Sequence, residues 1–182
     1  MITIIKDIEL IQDVDKYDTI FIGTNVYGCM SQGAQRDIAL KFNYCREANF
    51  AQKYGDTSRL GTLLETSEDG KPTIVLLYMY KGFDYRKSKN DEYLDYDLLE
   101  KCLIKANEAY KGRRVATTLI GCSRFDGNGN RDRVLEILER TMTDIDLVVY
   151  DYHQLTYKER YKKIKAERQQ LRELQKQKLN IC

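Results

Sequence analysis

The sequence predicts an α/β fold in which helices cover a central sheet that is largely parallel or mixed. Short apolar runs that are typical of buried strands alternate with segments whose apolar residues recur every three or four positions, as on a helix. One arrangement, a strand followed by a glycine-bearing loop and a helix, occurs twice, at residues 19–38 and 115–138. Strands separated by helices in this way indicate βαβ units and therefore a layered domain.

The predicted elements can be placed from their apolar patterns. The eight residues at 73–80 form the strongest strand candidate, and the turn before them at 68–72 contains the only proline. The remaining strands are predicted at 2–5, 19–23, 60–65, 115–120 and 145–150, and the helices at 34–49, 96–110 and 131–142.

Composition excludes several classes of protein. No stretch approaches the ~20 apolar residues that span a bilayer, and no secretory signal precedes the first strand, so no membrane association is predicted. The five cysteines form no CxxC pair or metal-binding spacing, which favours free thiols in a reducing compartment. We therefore expect a cytoplasmic protein that holds no metal and needs no cofactor.

Familiar catalytic motifs are missing from the sequence. It contains no GxxxxGK[ST] loop, which argues against a nucleoside triphosphatase. GxSxG is also missing, and the single histidine, His153, lies beyond the last predicted strand, so a Ser-His-Asp triad has no support.

Charge divides the chain into two predicted parts, residues 1–152 and 153–182. Residues 157–182 carry nine Lys/Arg against three Glu, a net charge of +6, and the remainder of the chain carries −4. This basic segment lacks proline and glycine and is predicted to be helical. Three roles are open for this segment: it packs back on the domain, it mediates self-association, or it contacts nucleic acid through its charge.

The first glycine-bearing loop, residues 25–34, follows an apolar strand and precedes a helix. Gly28 and Gly33 can adopt positive φ and allow a ligand to approach the backbone. Backbone N–H groups and a helix N-terminus then favour a bound anion such as phosphate.

The second loop, residues 121–129, follows another predicted strand and precedes another helix. In an open α/β sheet, such loops converge outside the carboxyl ends of the strands, where ligands bind. Two phosphate-binding loops on one edge would suit a diphosphate. Alternatively, both are ordinary strand-to-helix connections, which often contain glycine.

From residue 4 to residue 150 the chain resembles the macro domain, the ADP-ribose-binding fold. The family's first loop reads approximately N-x-x-G-v-M-G-x-G-i-A, and residues 25–34 are similar to it. The second signature, a strand running into I-G-x-G-x-F/G-G, is similar to residues 120–127. The family's first strand ends in G-D-I, which resembles residues 6–8, and residues 80–82 resemble its P-T-K segment.

The resemblance implies a role for each matching residue. Asp7 and the Ile8 backbone would hold the adenine, although Asp7 would otherwise be interpreted as a cap of a helix or turn. Asn25 would orient the distal ribose and the attacking water, or would simply be a turn residue. Asp126 departs from the family pattern, and its carboxylate is a candidate general base, as in relatives that process ADP-ribose 1″-phosphate. The residues implied in binding the diphosphate and distal ribose are Gly28, Cys29, Met30, Ser31, Gln32, Gly33, Gly121, Cys122, Ser123, Arg124 and Phe125.

Several positions depart from the family pattern. Gln32 follows Ser31 where some relatives that reverse DNA ADP-ribosylation have a lysine between two glycines, which argues against that activity. Ser123 and Asp126 stand where glycine is usual, and Lys6 replaces the glycine before Asp7. Binding tolerates these changes more easily than catalysis does.

The sequence therefore predicts a three-layer macro-domain-like fold with a mixed, largely parallel sheet, followed by a basic C-terminal helix. We expect the domain to bind ADP-ribose or a derivative and to hydrolyse ADP-ribose 1″-phosphate or an ADP-ribosyl linkage. The alternatives are a non-catalytic protein that reads or sequesters such nucleotides, and an interaction or nucleic-acid-associated protein whose site has degenerated.

Overall fold

The computed structural model describes residues 1–80, 82, 92, 94–123 and 127–152. The loop residues Arg124, Phe125 and Asp126 and the predicted C-terminal extension, 153–182, lie outside the described residues. The elements are β1 (Ile2–Lys6), α1 (Leu10–Asp13), β2 (Thr19–Asn25), α2 (Gly33–Lys41), α3 (Asn43–Phe50), β3 (Leu63–Thr66), β4 (Thr73–Tyr80), α4 (Tyr96–Ala109), β5 (Arg114–Thr118), α5 (Arg131–Thr141) and β6 (Asp146–Asp151).

The six strands form one sheet in the order β1-β6-β5-β2-β4-β3. Every neighbouring pair is parallel except β3 and β4, which are antiparallel. The prediction of a mixed, largely parallel sheet is therefore confirmed. The carboxyl ends of β1, β6, β5, β2 and β4 consequently share one edge of the sheet.

The helices cover both faces of this sheet, which gives three layers. Successive strand residues point to opposite faces; in β2, for example, Ile20 and Ile22 belong to one core cluster and Phe21 to the other. The cluster that contains Ile20 includes residues of α1, α2 and α3. The cluster that contains Phe21 includes residues of α4 and α5. The three-layer α/β prediction is thus confirmed.

The sequence patterns misplace one helix. Residues 34–49 were expected to form a single helix, but the chain breaks at Phe42, whose φ of −124° and ψ of 76° are not helical. The Phe42 side chain is only 4% exposed and packs in the same core cluster as Ile38 and Cys45. The two short helices that result, α2 and α3, both contribute residues to this cluster.

Strand β2 ends at Asn25, two residues after its predicted end, and β5 ends at Thr118, two residues before its predicted end. Strand β3 begins at Leu63 and not at residue 60, because Gly61 has a φ of +73° and its N–H donates to the Tyr78 carbonyl at 2.8 Å. Helix α1 was not predicted, since four residues are too few for a periodic pattern. The Tyr150 hydroxyl of β6 donates to the Asp13 carboxylate at 2.9 Å and ties α1 to the sheet.

The four described cysteines, Cys29, Cys45, Cys102 and Cys122, form no disulfide with one another. Burial raises the pKa of Cys45 to about 11 and that of Cys102 to about 12, so these two thiols stay protonated at neutral pH. None of the described helices is long and apolar enough to cross a membrane.

Candidate functional site

A crevice is expected where the connectivity of the sheet reverses, between β2 and β5. From β2 the chain continues to β3 and β4 on one side, and from β5 it continues to β6 on the other. Helices α2 and α3, after β2, cover one face, whereas α5, after β5, covers the opposite face. In open α/β sheets, ligands bind at this topological switch point, outside the carboxyl ends of the strands. The two glycine-bearing loops predicted from the sequence flank it.

Asn25, the last residue of β2, organises the first loop through its side chain. It is fully buried, with 0% exposure. Its Oδ1 accepts hydrogen bonds from the backbone N–H groups of Tyr27 at 2.9 Å and Cys29 at 3.3 Å, and its Nδ2 donates to the Cys29 carbonyl at 2.9 Å. An asparagine amide carries two N–H donors, so one Nδ2 hydrogen is left by these contacts. The Asn25 amide therefore fixes the conformation of the loop.

The remainder of the first loop combines a glycine at positive φ, a buried side chain and an exposed side chain. Gly28 has a φ of +71° and lies against the end of α3, where an added Cβ would be 3.5 Å from the Asn49 carbonyl oxygen. The Met30 side chain is buried in the core beneath α2, whereas Ser31 is exposed. The Ser31 hydroxyl lies 3.1 Å from the Cys29 sulfur.

The N-terminus of α2 lacks a side-chain cap. Gln32 occupies the N-cap position without a capping hydrogen bond, and the next residue, Gly33, has a φ of +56°. By contrast, Asp95 caps α4 and Asn130 caps α5 with their side chains. The first N–H groups of a helix have no partner within the helix, and the helix dipole makes this end positive. The α2 terminus is therefore the one suited to an external anion among these three helices.

The second loop is held by its own backbone and by Leu94. The N–H of Gly129 donates to the Gly121 carbonyl at 2.9 Å, and the N–H of Asn128 donates to the Ser123 carbonyl at 3.0 Å. A Cβ on Gly121 would lie 2.7 Å from Leu94 Cδ1, and a Cβ on Gly129 would lie 2.5 Å from Leu94 Cδ2. Packing against Leu94 thus requires these glycines, in addition to any role in ligand approach. Sequence reasoning missed Leu94, which no motif marks.

Asp7 and Ile8 lie at the other end of the same edge, after β1. Asp7 has a φ of +63°, which is unusual for a residue other than glycine, and its N–H donates to the Asp151 carbonyl at 3.4 Å. The Asp7 side chain is exposed and caps no described helix. Ile8 is 38% exposed. Three inter-strand spacings separate β1 from β2, a span of roughly 14 Å.

Two features near this edge were not foreseen from the sequence. Arg131, the first residue of α5, forms an ion pair with Asp151 at the end of β6. Arg59 bonds to the start of the first loop from a distant part of the chain. Neither contact has a local sequence signal. Among the described residues, no group of three or more His, Cys, Asp or Glu side chains is arranged to hold a metal ion.

The fold is shared with solved structures. A protein of unknown function from Bacteroides thetaiotaomicron matches 83% of this chain and 98% of its own, with 19% identity and a TM-score of 0.67. The macrodomain of Thermus aquaticus DarG matches 85% of this chain and 100% of its own, with 14% identity and a TM-score of 0.58. Thermosipho africanus DarTG in complex with ADP-ribose matches 77% of this chain and 39% of its own, with 16% identity and a TM-score of 0.54. No protein-family model and no curated protein matches the sequence.

Proposed function

From the macrodomain fold of this chain, we propose that it binds ADP-ribose or a close derivative in the crevice between β2 and β5. One observation carries this proposal: two glycine-bearing loops flank the switch point of the sheet, and the first of them leads into the uncapped N-terminus of α2. Backbone N–H groups at such a terminus bind phosphate groups. A solved structure with the same fold, that of Thermosipho africanus DarTG, contains ADP-ribose, which adds support.

The proposed ligand lies along the carboxyl edge of the sheet. Its diphosphate occupies the space between residues 28–33 and 121–123, which follow the neighbouring strands β2 and β5. Its adenine extends toward Asp7 and Ile8, and the exposed Asp7 carboxylate accepts hydrogen bonds from the exocyclic amine. Its distal ribose lies over the end of β2, near Asn25. The span of roughly 14 Å between the ends of β1 and β2 leaves room for an elongated dinucleotide-like molecule.

We further propose that the domain hydrolyses ADP-ribose 1″-phosphate or an ADP-ribosyl linkage. Asn25 acts in this proposal by shaping the loop and by directing its remaining Nδ2 hydrogen toward the distal ribose. Asp126 is the proposed general base that activates water.

One observation favours a second function, nucleotide binding without turnover. Both acceptor positions of the Asn25 amide and one of its donors are already used within the loop. The amide therefore has little capacity left to orient water. A protein that binds or sequesters ADP-ribose-type nucleotides without hydrolysing them needs only the conformation of the loop and no group that orients water.

Isothermal titration calorimetry with ADP-ribose, with AMP as a control, tests the binding proposal. We expect clearly tighter binding of ADP-ribose, because only this ligand places a diphosphate between the two loops. In Ser31→Glu, an added carboxylate in the exposed first loop should weaken ADP-ribose binding at least tenfold, a change of about 1.4 kcal/mol. In the matched variant Ser67→Glu, the same charge is added after β3, at the opposite edge, and affinity should be unchanged.

The absence of any ADP-ribose binding by the wild-type protein would refute the proposal, as would equal losses in Ser31→Glu and Ser67→Glu. Assays of phosphate release from ADP-ribose 1″-phosphate and of removal of ADP-ribose from modified substrates then separate the two functions. Turnover supports the hydrolase, and binding without turnover supports the reader.

A further inference from the structure

Arg59 is attached directly to the beginning of the first loop. It ends a short 3-10 helix, Thr57–Arg59, that follows α3. Its Nη2 donates to the Val26 carbonyl at 2.6 Å and to the Lys53 carbonyl at 3.0 Å. Val26 is the first residue after β2, and its carbonyl also accepts from the Gly55 N–H at 3.0 Å. The guanidinium group therefore fixes the point at which the loop leaves the sheet.

The guanidinium group is held in place by a buried polar cluster. Its Cζ lies 4.4 Å from the centre of the Tyr78 ring, in the geometry of a cation–π contact. The Tyr78 hydroxyl donates to Asn49 Oδ1 at 2.7 Å, and Asn49 Nδ2 donates to Thr24 Oγ1 at 3.3 Å. Burial raises the pKa of Tyr78, and the positive charge of Arg59 acts in the opposite direction. Arg59 is thus a fixed cation on a rigid support.

Arg59 forms no ion pair with a carboxylate within the described part of the chain. Asp56 is nearby: its carboxylate accepts from the backbone N–H and hydroxyl of Ser58, which lower its pKa, and the charges of Lys53 and Arg59 lower that pKa further. The Nε and Nη1 atoms of Arg59 are buried without a hydrogen-bond partner. Leaving these two nitrogens of a half-buried guanidinium group unsatisfied is costly, and the group lies against the start of the first loop, so its placement there calls for an explanation.

We propose that Arg59 is a positioning residue that makes the first loop selective for a dianionic ligand. It acts through its charge, which raises the local potential where the diphosphate binds, and its hydrogen bond to the Val26 carbonyl holds that charge beside the loop. This matters because residues 1–156 carry a net charge of −4, which by itself repels anions. A partly buried charge is screened less by salt than a surface lysine is. The inference rests on the proposed function, since the anion is taken to be a diphosphate.

The test compares Arg59→Gln with Arg59→Lys in the full chain, using inorganic pyrophosphate and ADP-ribose as separate probes in calorimetry and thermal-shift assays. Arg59→Gln keeps a hydrogen-bond donor but removes the charge, and we expect it to lower the affinity for both ligands about tenfold. Arg59→Lys keeps the charge and should recover most of the affinity. The matched control is Arg113→Gln: Arg113 also lies over a tyrosine ring, that of Tyr110 at 5.6 Å, but precedes β5 at the opposite edge. Loss of the Arg113 charge should leave the affinities for pyrophosphate and ADP-ribose unchanged.

Wild-type affinity in Arg59→Gln would overturn the inference. Equal losses in Arg59→Gln and Arg59→Lys would also overturn it, since they would assign the effect to guanidinium geometry and not to charge. If circular dichroism shows that Arg59→Gln does not fold, the test depends on Arg59→Lys alone. Near-normal affinity of Arg59→Lys for the two ligands would then support the inference, and a tenfold loss would contradict it. If the wild-type protein binds pyrophosphate but not ADP-ribose, the proposed function fails and the Arg59 inference is judged on pyrophosphate. If the wild-type protein binds neither, both fail.

Discussion

Asn25 shows how one buried side chain can determine the shape of a binding loop. Its three hydrogen bonds all remain within residues 25–29, and none reaches another element. The resemblance to macro domains suggested a role in orienting substrate and water, and that role remains a prediction. The hydrogen bonds of Asn25 show that it stabilises the conformation of the loop, and any role in ligand binding would be additional to this structural role. Loss of binding in an Asn25 variant would therefore not by itself demonstrate catalysis.

Replacement of Asn25 by alanine is predicted to destabilise the protein and to weaken ligand binding. The Tyr27 and Cys29 N–H groups lose their acceptor, and the free energy of unfolding should fall by about 2–3 kcal/mol. ADP-ribose affinity should fall at least tenfold, because the loop is no longer pre-organised. Thermal denaturation and calorimetry measure the two effects.

Asn107→Ala is the matched control for this prediction. The Asn107 side chain is partly exposed and makes two hydrogen bonds, both with Asp144, which precedes β6 at the opposite edge of the sheet. We expect a stability change of under about 1 kcal/mol and no change in affinity. If Asn25→Ala instead retained wild-type affinity and stability while losing all turnover, Asn25 would act directly in catalysis and the loop-shaping interpretation would be wrong.

At the scale of elements, the glycines of the second loop meet two structural requirements. Sequence patterns indicated close approach of a ligand, but the structure adds close approach of Leu94 from the segment before α4. Tyr96 strengthens the same contact, because its hydroxyl accepts from the Asn130 N–H at 2.8 Å. The start of α4 and the start of α5 thus hold the loop between them. A glycine-rich motif can therefore indicate close packing against another side chain as well as a phosphate-binding site.

Gly121→Ala is predicted to be far more destabilising than Gly112→Ala. Both glycines have similar backbone conformations, with φ of +80° and +76°, so both alanines carry the cost of a left-handed residue, about 1–2 kcal/mol. Only the Gly121 variant also places a Cβ 2.7 Å from Leu94, whereas Gly112 has no atom within 4 Å. Overpacking adds about 1–3 kcal/mol. Chemical denaturation of the two variants measures the difference; equal destabilisation would show that Leu94 moves aside freely.

At the scale of the whole molecule, the binding proposal depends on topology more than on any motif. Residues Met1–Tyr152 form one compact unit, and this unit contains the complete sheet and both loops. The basic segment at 157–182, with its charge of +6, was assigned from the sequence to a separate extension. That division, the cytoplasmic location, and the predicted self-association or nucleic-acid contact remain predictions.

Deletion of residues 153–182 is predicted to leave the fold and the ADP-ribose site intact. The truncated protein should unfold cooperatively near the temperature of the full chain and bind ADP-ribose with the same affinity, because the proposed site lies within residues 1–152. Calorimetry, light scattering and nucleic-acid binding at two salt concentrations compare the two proteins.

A different result would favour the interaction-protein alternative. In that case neither form binds ADP-ribose, and the full chain binds nucleic acid with an affinity that falls steeply with salt. That binding disappears in the truncated protein. A loss of ADP-ribose binding on truncation alone would show that the extension contributes to the site.

Sequence patterns predicted those parts of the fold that depend on local periodicity. Strand β4 was placed at its observed residues, 73–80, because eight consecutive strand-forming residues leave little ambiguity. Helices α4 and α5 were placed to within one residue at each end, since each has a regular apolar stripe and a side-chain cap. The two loops and their location on one edge followed from the repeated strand-loop-helix pattern.

Local patterns of residue types were thus enough to predict the layered α/β class, most element boundaries and the two glycine-bearing loops, because these features depend on neighbours within a few residues. The break at Phe42, the contact of Leu94 with the second loop and the contact of Arg59 with Val26 arise only from the packing of the folded chain. Arg59 and Val26 are 33 positions apart in the chain. Such contacts depend on how distant segments pack against one sheet, and no local pattern of residue types encodes which side chain will reach which carbonyl.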